Sequence, residues 1–391
     1  MKINKTNIDK LCYTGSDKFY WDDDVKGFGV KVTSKSKSFI VQGRVNGRTI
    51  RKKIGSCCIL TPDKARTEAK ILLGSIANNI DINEKSKADE YKKVTLKQAF
   101  DDMITTRKLT ESTRYSYNRT METVFADWKN TPIVAINKSM IITKFKNISN
   151  KSGSSANLYF RYLRAIINFA MEKYSTDTEP LILSNPCDTL RALRIWNPVR
   201  RRDRYIKPTQ LKEFFTGLQI STTDRPQIQI TKKQCLFILF TGCRDQEAAR
   251  VKCKDIDFDE KTITFPITKN HHKHILPMGK WLYNFVKELC DGLKPDDYLF
   301  PANNRSGHIK DHRKAIKEIS QACGITFSLH DLRRTFATIA TVEDINQHYL
   351  KRMLNHVQSD VTEGYIKIID KKMRLNMQKI EDFILKKVGI K

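Results

Sequence analysis

Thiol-based metal sites and disulfide frameworks have no foothold in this sequence. Its nine cysteines fall at irregular spacings, Cys57 and Cys58 are adjacent, and no CxxC pair exists from which a zinc site is built. They read as reduced thiols of a cytosolic protein. Long apolar runs are missing too. No stretch approaches the length of a membrane span, and the opening MKINKTNIDKLCYTG lacks the apolar core of a signal peptide. Internal repeats and low-complexity tracts are absent. Acidic residues are scarce: 43 Asp and Glu face 71 Lys and Arg, a net charge of +28. That surplus implies a polyanionic partner, most simply nucleic acid, and the missing apolar segments make a cytoplasmic location the expectation, nucleoid-associated or in the host cell of a mobile element. Ribosomal and chromatin proteins share such a balance, so charge gives a class and no mechanism.

At 391 residues the chain suits two or three domains. In residues 1–89, Phe28, Val30 and Val32 alternate with Gly29 and Lys31 at the period of a half-buried strand. SFIVQGRV and RTIRKKIG flank Asn46-Gly47, a strong hairpin signal, and Thr61-Pro62 starts a helix. A small three-stranded β-sheet plus a helix is expected. Its strands carry Arg44, Arg48, Arg51, Lys52 and Lys53, a basic face suited to a DNA groove or simply solvated. DINEKSKADEYKK reads as a linker. Residues 94–185 read as a helical bundle: Leu96, Ala99, Phe100 and Met103 share one face, Ser112 to Trp128 forms a second helix, and Tyr159, Tyr162, Leu163, Ile166 and Ala170 mark another. Next comes the Pro-interrupted stretch NPCDTLRALRIWNPVRRRDRYIKP, with Arg200, Arg201, Arg202 and Arg204. It reads as an exposed connection that lies along a phosphate backbone. Residues 200–391 are mainly helical with a small antiparallel sheet, in which Ile263, Phe265 and Ile267 form one strand and HKHILPM the return. The expected class is α+β, multidomain. Helices are expected near Trp281–Leu289, Ile309–Cys323, His330–Ala340 and Asn346–Leu354, and as a last amphipathic segment over Met373–Lys387.

The last third also holds a set of basic residues that ends on a tyrosine. It comprises Arg244 in TGCRDQEAARVKCKDID, Lys269 in PITKN, His330 and Arg333 in LHDLRRTFAT, His356 in MLNHVQ and Tyr365 in TEGYI. Phosphoryl transfer needs dispersed negative charge neutralised, an oriented nucleophile and a proton for the leaving group. This set supplies all three with no metal and no cofactor. Arg244 follows Gly242 and opens a helix, so a guanidinium and a helix N-terminus face one anion. Glu247, three residues on, lies where it can orient Arg244 or His330. Lys269 sits at a hairpin tip, where nearby arginines bring an ammonium toward general-acid range; Lys273 on the same hairpin is the second candidate. His330 and Arg333 are three apart and share a helix face. Arg333 would clamp non-bridging oxygens, and His330 would donate to one or assist the tyrosine as a base. Tyr349 precedes His356 inside an apparent helix and reads as packing, which leaves Tyr365 as nucleophile. His271, His272 and His274 have no acidic or thiol partner close in sequence, and read as solvated or phosphate-touching rather than metal-binding.

TGCRDQEAARVKCKDID, ITKN, HDLRRTFAT, and LNH followed by GYI together resemble the motifs of the tyrosine recombinase family, in the family's order. GFGVKV, KSFIVQGRVNGRTIRKKIG and LTPDKAR are similar to the arm-site-binding domain of phage and genomic-island integrases, so the resemblance spans essentially the whole chain. It implies an arm-binding domain over residues 1–89, a core-binding domain over 94–185 and a catalytic domain over 200–391. It implies that Tyr365 attacks a scissile phosphate to give a 3′-phosphotyrosyl enzyme, with His356 on the phosphate and Lys269 protonating the 5′-oxygen. Double-stranded attachment sites, a homotetramer on DNA, and an excisionase and a host DNA-bending protein are the implied partners. The last amphipathic segment is implied to dock on a neighbouring protomer. Two positions depart from the family pattern: Cys253 stands where tryptophan is common, and Asn355 where glycine often precedes the histidine. A type IB topoisomerase and a non-catalytic DNA-binding regulator are the rival readings. A dedicated arm domain argues against solitary relaxation, and binding alone needs no nucleophile.

Overall fold

The computed structural model describes residues 1–200, 203–220, 225–266, 273–355 and 371–390. It divides into two compact units, Met1–Arg200 and Arg201–Lys391. The first begins with a short helix α1 (Lys5–Asp9) and an antiparallel sheet, β1 (Lys18–Trp21), β2 (Phe28–Val32), β3 (Lys37–Val45) and β4 (Arg48–Ser56), in that spatial order. Phe28, Val30, Phe39 and Val41 are buried between the sheet and helix α2 (Pro62–Ala77). The β3–β4 turn uses Asn46 at φ 48° and Gly47 at φ 79°, the two left-handed residues that match the twist of a hairpin. Gly43 lets α2 come close: a Cβ there would lie 2.7 Å from Ile76 Cγ2.

The sheet has four strands where three were expected. The extra strand, β1, is an edge of only four residues, KFYW, aromatic on both faces, so it lacks the apolar–polar alternation that marks a strand. The expected linker is also wrong in kind, because residues of DINEKSKADEYKK form helix α3 (Ile82–Tyr91). Asp81 caps it by accepting from the backbone N–H groups of Asn83 and Glu84. Ile82 and Ala88 are buried, a sparse stripe that a polar composition hides.

The bundle that follows consists of α4 (Leu96–Thr106), α5 (Glu111–Thr123), α6 (Lys138–Ser149), α7 (Gly153–Lys173) and the single turn α8 (Thr189–Ala192). Leu96, Ala99, Phe100 and Met103 are all buried as the spacing predicts, and Phe160 of α7 meets Phe125 and Phe145 edge to face at 5.6 and 5.2 Å. The first half of the basic connection does not run exposed. Cys187 and Leu190 are fully buried, and Trp196 packs on Phe145 with ring centroids 5.6 Å apart. Asn157 and Asn197 exchange three hydrogen bonds of 2.9, 3.1 and 3.3 Å. Prolines interrupt the stretch, but its few apolar residues have a bundle surface to cover.

The second unit is built around the buried helix α10 (Pro226–Thr241). Before it lies α9 (Leu211–Ile220), and after it the single turn α11 (Asp245–Ala248) and an antiparallel sheet of β5 (Ile256–Asp257), β6 (Thr262–Phe265) and β7 (His274–Pro277). Helices α12 (Lys280–Cys290), α13 (Arg313–Cys323), α14 (Leu329–Val342), α15 (Gln347–Met353) and α16 (Lys371–Val388) complete it. No helix among the described residues is long and apolar enough to cross a membrane.

Helix α16 packs on its own unit rather than projecting toward a partner. Met373, Met377, Ile380 and Ile384 join the core, and Leu375 is left half exposed. The buried carboxylate of Glu381 caps α12, accepting from Trp281 N at 2.8 Å and Leu282 N at 2.9 Å. Four core residues and a cap make this helix part of the fold. Ile384→Ala should therefore destabilise the second unit by about 2–5 kcal/mol, read by denaturant unfolding. A change near zero would mean that α16 is only loosely docked.

Candidate active site

The site begins where α10 ends. Gly242 closes that helix in the left-handed region at φ 65°, and a Cβ there would stand 2.5 Å from the Phe336 ring on α14. Only glycine permits both the conformation and the approach. The turn brings α10 against the stretch of α14 that carries Arg333, three residues before Phe336. Arg333 is 5% exposed and donates from Nη1 to the Gly242 carbonyl at 2.7 Å and from Nη2 to the Leu354 carbonyl. Burial, and then the nearby Arg244 charge, lower its pKa to about 10, so it stays a cation at neutral pH.

Arg244 follows the same turn and enters from the other side. Its Nη1 donates to Glu247 Oε1 at 2.7 Å, its backbone N–H to Glu247 Oε2 at 3.0 Å, and its Nη2 reaches the Asn355 carbonyl at 3.4 Å. Glu247 is thus a buried carboxylate spent on Arg244, one of the two targets the sequence left open. The expected helix N-terminus facing the anion is corrected: α11 is a single turn, and Glu247 already takes the N–H at its start. Asn355 has φ 47°, the left-handed residue after α15, which explains why it can stand where the family often has glycine.

His330 lies exposed near the start of α14, on the same helix as Arg333. Partial desolvation, then the charges of Arg334 and Arg333, hold its imidazole below the usual pKa, toward the neutral form. Asp331 beside it is buried and gathers Arg204 Nε at 2.8 Å and Arg334 Nη1 at 3.1 Å. Arg204, expected along a phosphate backbone, is therefore tied to the base of α14.

His274 is the residue whose role the sequence misjudged. Rather than being solvated, it is largely buried on β7, its ring stacked on Phe265 of β6 at 5.8 Å and 20°, with Nε2 3.1 Å from the Met353 carbonyl. A carbonyl only accepts, so Nε2 carries a proton and donates it. Burial lowers its pKa to about 4, and Arg333 and Arg244 push the same way, while the Met353 carbonyl and Glu247 oppose. The one legible signal was its place in the expected return strand HKHILPM.

Lys273 is exposed beside it, where β7 begins. Lys269, His356 and Tyr365 lie outside the described residues, as do Arg201, Arg202, His271 and His272.

In the first unit the basic strand residues divide between two faces. Arg44 and Arg51 share the face away from α2, where Arg51 lies 4.0 Å over the Phe19 ring and donates to Gln42 at 2.8 Å. Phe19 in turn stacks on Trp21. Arg48 and Lys52 pair across the strand with Val45 and Val41 and so fall on the opposite face. Lys52 is spent on α3, bonding the Ile82 carbonyl and the Ser86 hydroxyl, whereas Arg48 and Arg200 are exposed. Phe19 and Trp21 were not singled out from sequence because β1 itself was not.

Residues 204–372 match the model of the phage integrase family, and residues 3–89 that of an arm DNA-binding domain. The prophage integrase IntF of Escherichia coli K12 is 25% identical over 420 aligned residues, covering 95% of this chain and 87% of that protein. A tyrosine recombinase XerA of Saccharolobus solfataricus is 27% identical over 160 residues, covering 39% of this chain and 53% of its own. Among solved structures, the Tn1549 transposon integrase in complex with transposon right end DNA superposes with a TM-score of 0.55 at 18% identity, covering 74% of this chain and all of that one. A lambda integrase dimer bound to a COC′ core site gives 0.54 at 16% identity, covering 90% and 96%. These likenesses show the fold.

The buried, neutral His274 predicts an acid-side stability loss. Its folded pKa of about 4 lies below the ordinary 6.5, so the unfolded chain takes up the proton first. The contribution is intact above pH 6.5 and is lost as pH falls toward 4, amounting to about 2 kcal/mol by pH 5. His274→Phe should remove that part of the pH dependence, measured by denaturant unfolding at neutral and acid pH. Identical slopes in the two proteins would place the ring in water.

Proposed function

This chain belongs to the phage integrase family of tyrosine recombinases, and we propose that it is a site-specific DNA recombinase acting through Tyr365. The phenol oxygen attacks a scissile phosphate, a bond forms between phosphorus and Tyr365, and the bond to the 5′-oxygen breaks. Arg244 and Arg333 hold the non-bridging oxygens, where negative charge develops. His330 takes or shares the tyrosine proton, His356 donates to the phosphate, and Lys269 gives a proton to the departing 5′-oxygen. The 3′-phosphotyrosyl link keeps the phosphoester bond, so the 5′-hydroxyl of a partner strand reverses the step without ATP or metal. Integration or excision of a mobile element is the outcome.

The observation that carries this reading is the meeting of Arg244 and Arg333 on the two residues that follow α15, just ahead of the segment that bears His356 and Tyr365. Two guanidiniums with a single carboxylate between them, beside neutral imidazoles, favour an anion with several oxygens. The net charge of +28 fits a duplex partner. In the first unit, Arg44 and Arg51 are the arm contacts on the face away from α2, and Arg200 touches the core-site backbone together with Arg201 and Arg202. Lys273 is a further DNA contact at the edge of the hairpin. The working assembly is a tetramer on two attachment sites, with an excisionase and a host DNA-bending protein as accessory partners.

Tyr365→Phe should abolish covalent attachment to a nicked suicide duplex and leave binding nearly intact. Adduct persisting with the variant on a denaturing gel would remove Tyr365 from the reaction. Arg244→Ala or Arg333→Ala should slow adduct formation roughly 100- to 1000-fold, and rates within a few-fold of the unaltered protein would place the arginines outside the site. Lys269→Ala should regain cleavage on a substrate whose 5′-bridging oxygen is sulfur, a leaving group that needs no proton. Failure of that rescue would assign the proton to another donor, with Lys273 tested next.

A further inference from the structure

The last carbonyls of a helix have no partner within it and carry partial negative charge. At the end of α15 three in succession are met by side chains from elsewhere. His274 Nε2 stands 3.1 Å from the Met353 carbonyl, Arg333 Nη2 donates to that of Leu354, and Arg244 Nη2 reaches that of Asn355 at 3.4 Å. The two arginines are thus oriented by consecutive carbonyls whose direction depends on the residue before them, and that residue is held by His274.

We infer that His274 is a positioning residue for DNA cleavage: by fixing the Met353 carbonyl it sets the turn on which Arg244 and Arg333 are aimed. The inference rests on the recombinase reading above. The ring can do this because it has little freedom of its own. Phe265, its cross-strand partner, stacks on one face, and the ring is half-buried. Its place in the chain adds a second linkage. Phe265 and His274 bracket the segment that carries Lys269, and Met353 lies shortly before the segment that carries Tyr365. One hydrogen bond therefore ties the base of the general-acid hairpin to the helix that leads to the nucleophile.

Nothing in this arrangement asks the ring to exchange protons. The charged groups around it are Arg333 and Arg244, which oppose a third cation, and Glu247, which is already engaged by Arg244. A neutral donor is what the position requires. His330, less deeply buried, remains the imidazole suited to proton transfer.

The test compares His274→Phe, which keeps a ring for the stack and loses the donor, with His274→Gln, whose amide nitrogen can reach the same carbonyl. Adduct formation on a nicked suicide duplex is followed in a single turnover from mildly acid to alkaline pH, beside half-site affinity and thermal melting. The Phe variant should cleave roughly ten- to a hundredfold more slowly, the scale set by small misplacement of catalytic groups, with affinity unchanged. The Gln variant should recover most of the rate, and the pH–rate profiles of all three proteins should run parallel. His274→Met, unbranched and without a donor, serves where the Phe variant does not fold. Wild-type rates in the donor-less variants would overturn the inference. So would equal slowing in the Gln and Phe variants with matching losses of melting temperature and affinity, which would make the ring ordinary core. Loss of one limb of the pH–rate profile would instead make it a proton donor or acceptor. If the unaltered protein itself forms no adduct, the recombinase reading fails, a result distinct from all of these.

Discussion

A guanidinium taken out of water must be surrounded by acceptors, because an unpartnered buried charge costs several kcal/mol. Arg333 meets that requirement with two backbone carbonyls, Gly242 at the end of α10 and Leu354 at the end of α15. Both are helix C-termini, where carbonyls are left over and the helix dipole is negative. Much of the second unit follows from this one constraint. Gly242 must be left-handed and bare of a Cβ so that α10 can end against Phe336, and Asn355 must turn left-handed so that α15 can end against the two arginines.

The same constraint sets the electrostatics. Arg333 and Arg244 are close enough to lower the proton affinity of one and to disfavour protonation of both His274 and His330. Glu247 relieves Arg244 and caps its own single-turn helix with the same carboxylate. What remains is a locally cationic cluster beside two imidazoles whose protonation it disfavours. Farther out, Asp331 collects Arg204 and Arg334. Those arginines secure α14 to the start of the second unit, which keeps charge of the right sign near the site without adding to its reach.

Much of this architecture was legible in the sequence for physical reasons. The face Leu96, Ala99, Phe100, Met103 forms a helix because four buried positions at helical spacing admit no strand, and Asn46-Gly47 forms a hairpin because two left-handed residues in succession permit little else. The misreadings also have physical causes. β1 is too short to alternate, and α3 is a polar helix held by an Asp81 cap, two buried residues and Lys52 from the sheet. The stretch after Asn185 is rich in breakers yet buries Cys187 and Leu190, and α16 covers its own unit's core because that surface is adjacent and apolar. For the stretch after Asn185 and for α16 the deciding partner lay far away in the chain.

For the site the division is sharper. The sequence alone determined which residue types were available, in what order, and that Arg333 and His330 share a helix, since three-residue spacing on a helix fixes a face whatever surrounds it. It also fixed the surplus of positive charge and, through its motifs, the family. Tertiary structure alone decided that Arg244 and Arg333, 89 positions apart in the chain, converge on one helix end, that Glu247 serves Arg244, and that His274 is stacked on Phe265 and held in its neutral form rather than solvated. It likewise divided the arm-sheet cations, sending Arg51 to the outer face and Lys52 to a helix. Spacing along a chain specifies neighbours within an element. Which elements meet, and hence which charges are desolvated or paired, depends on packing that no local pattern encodes.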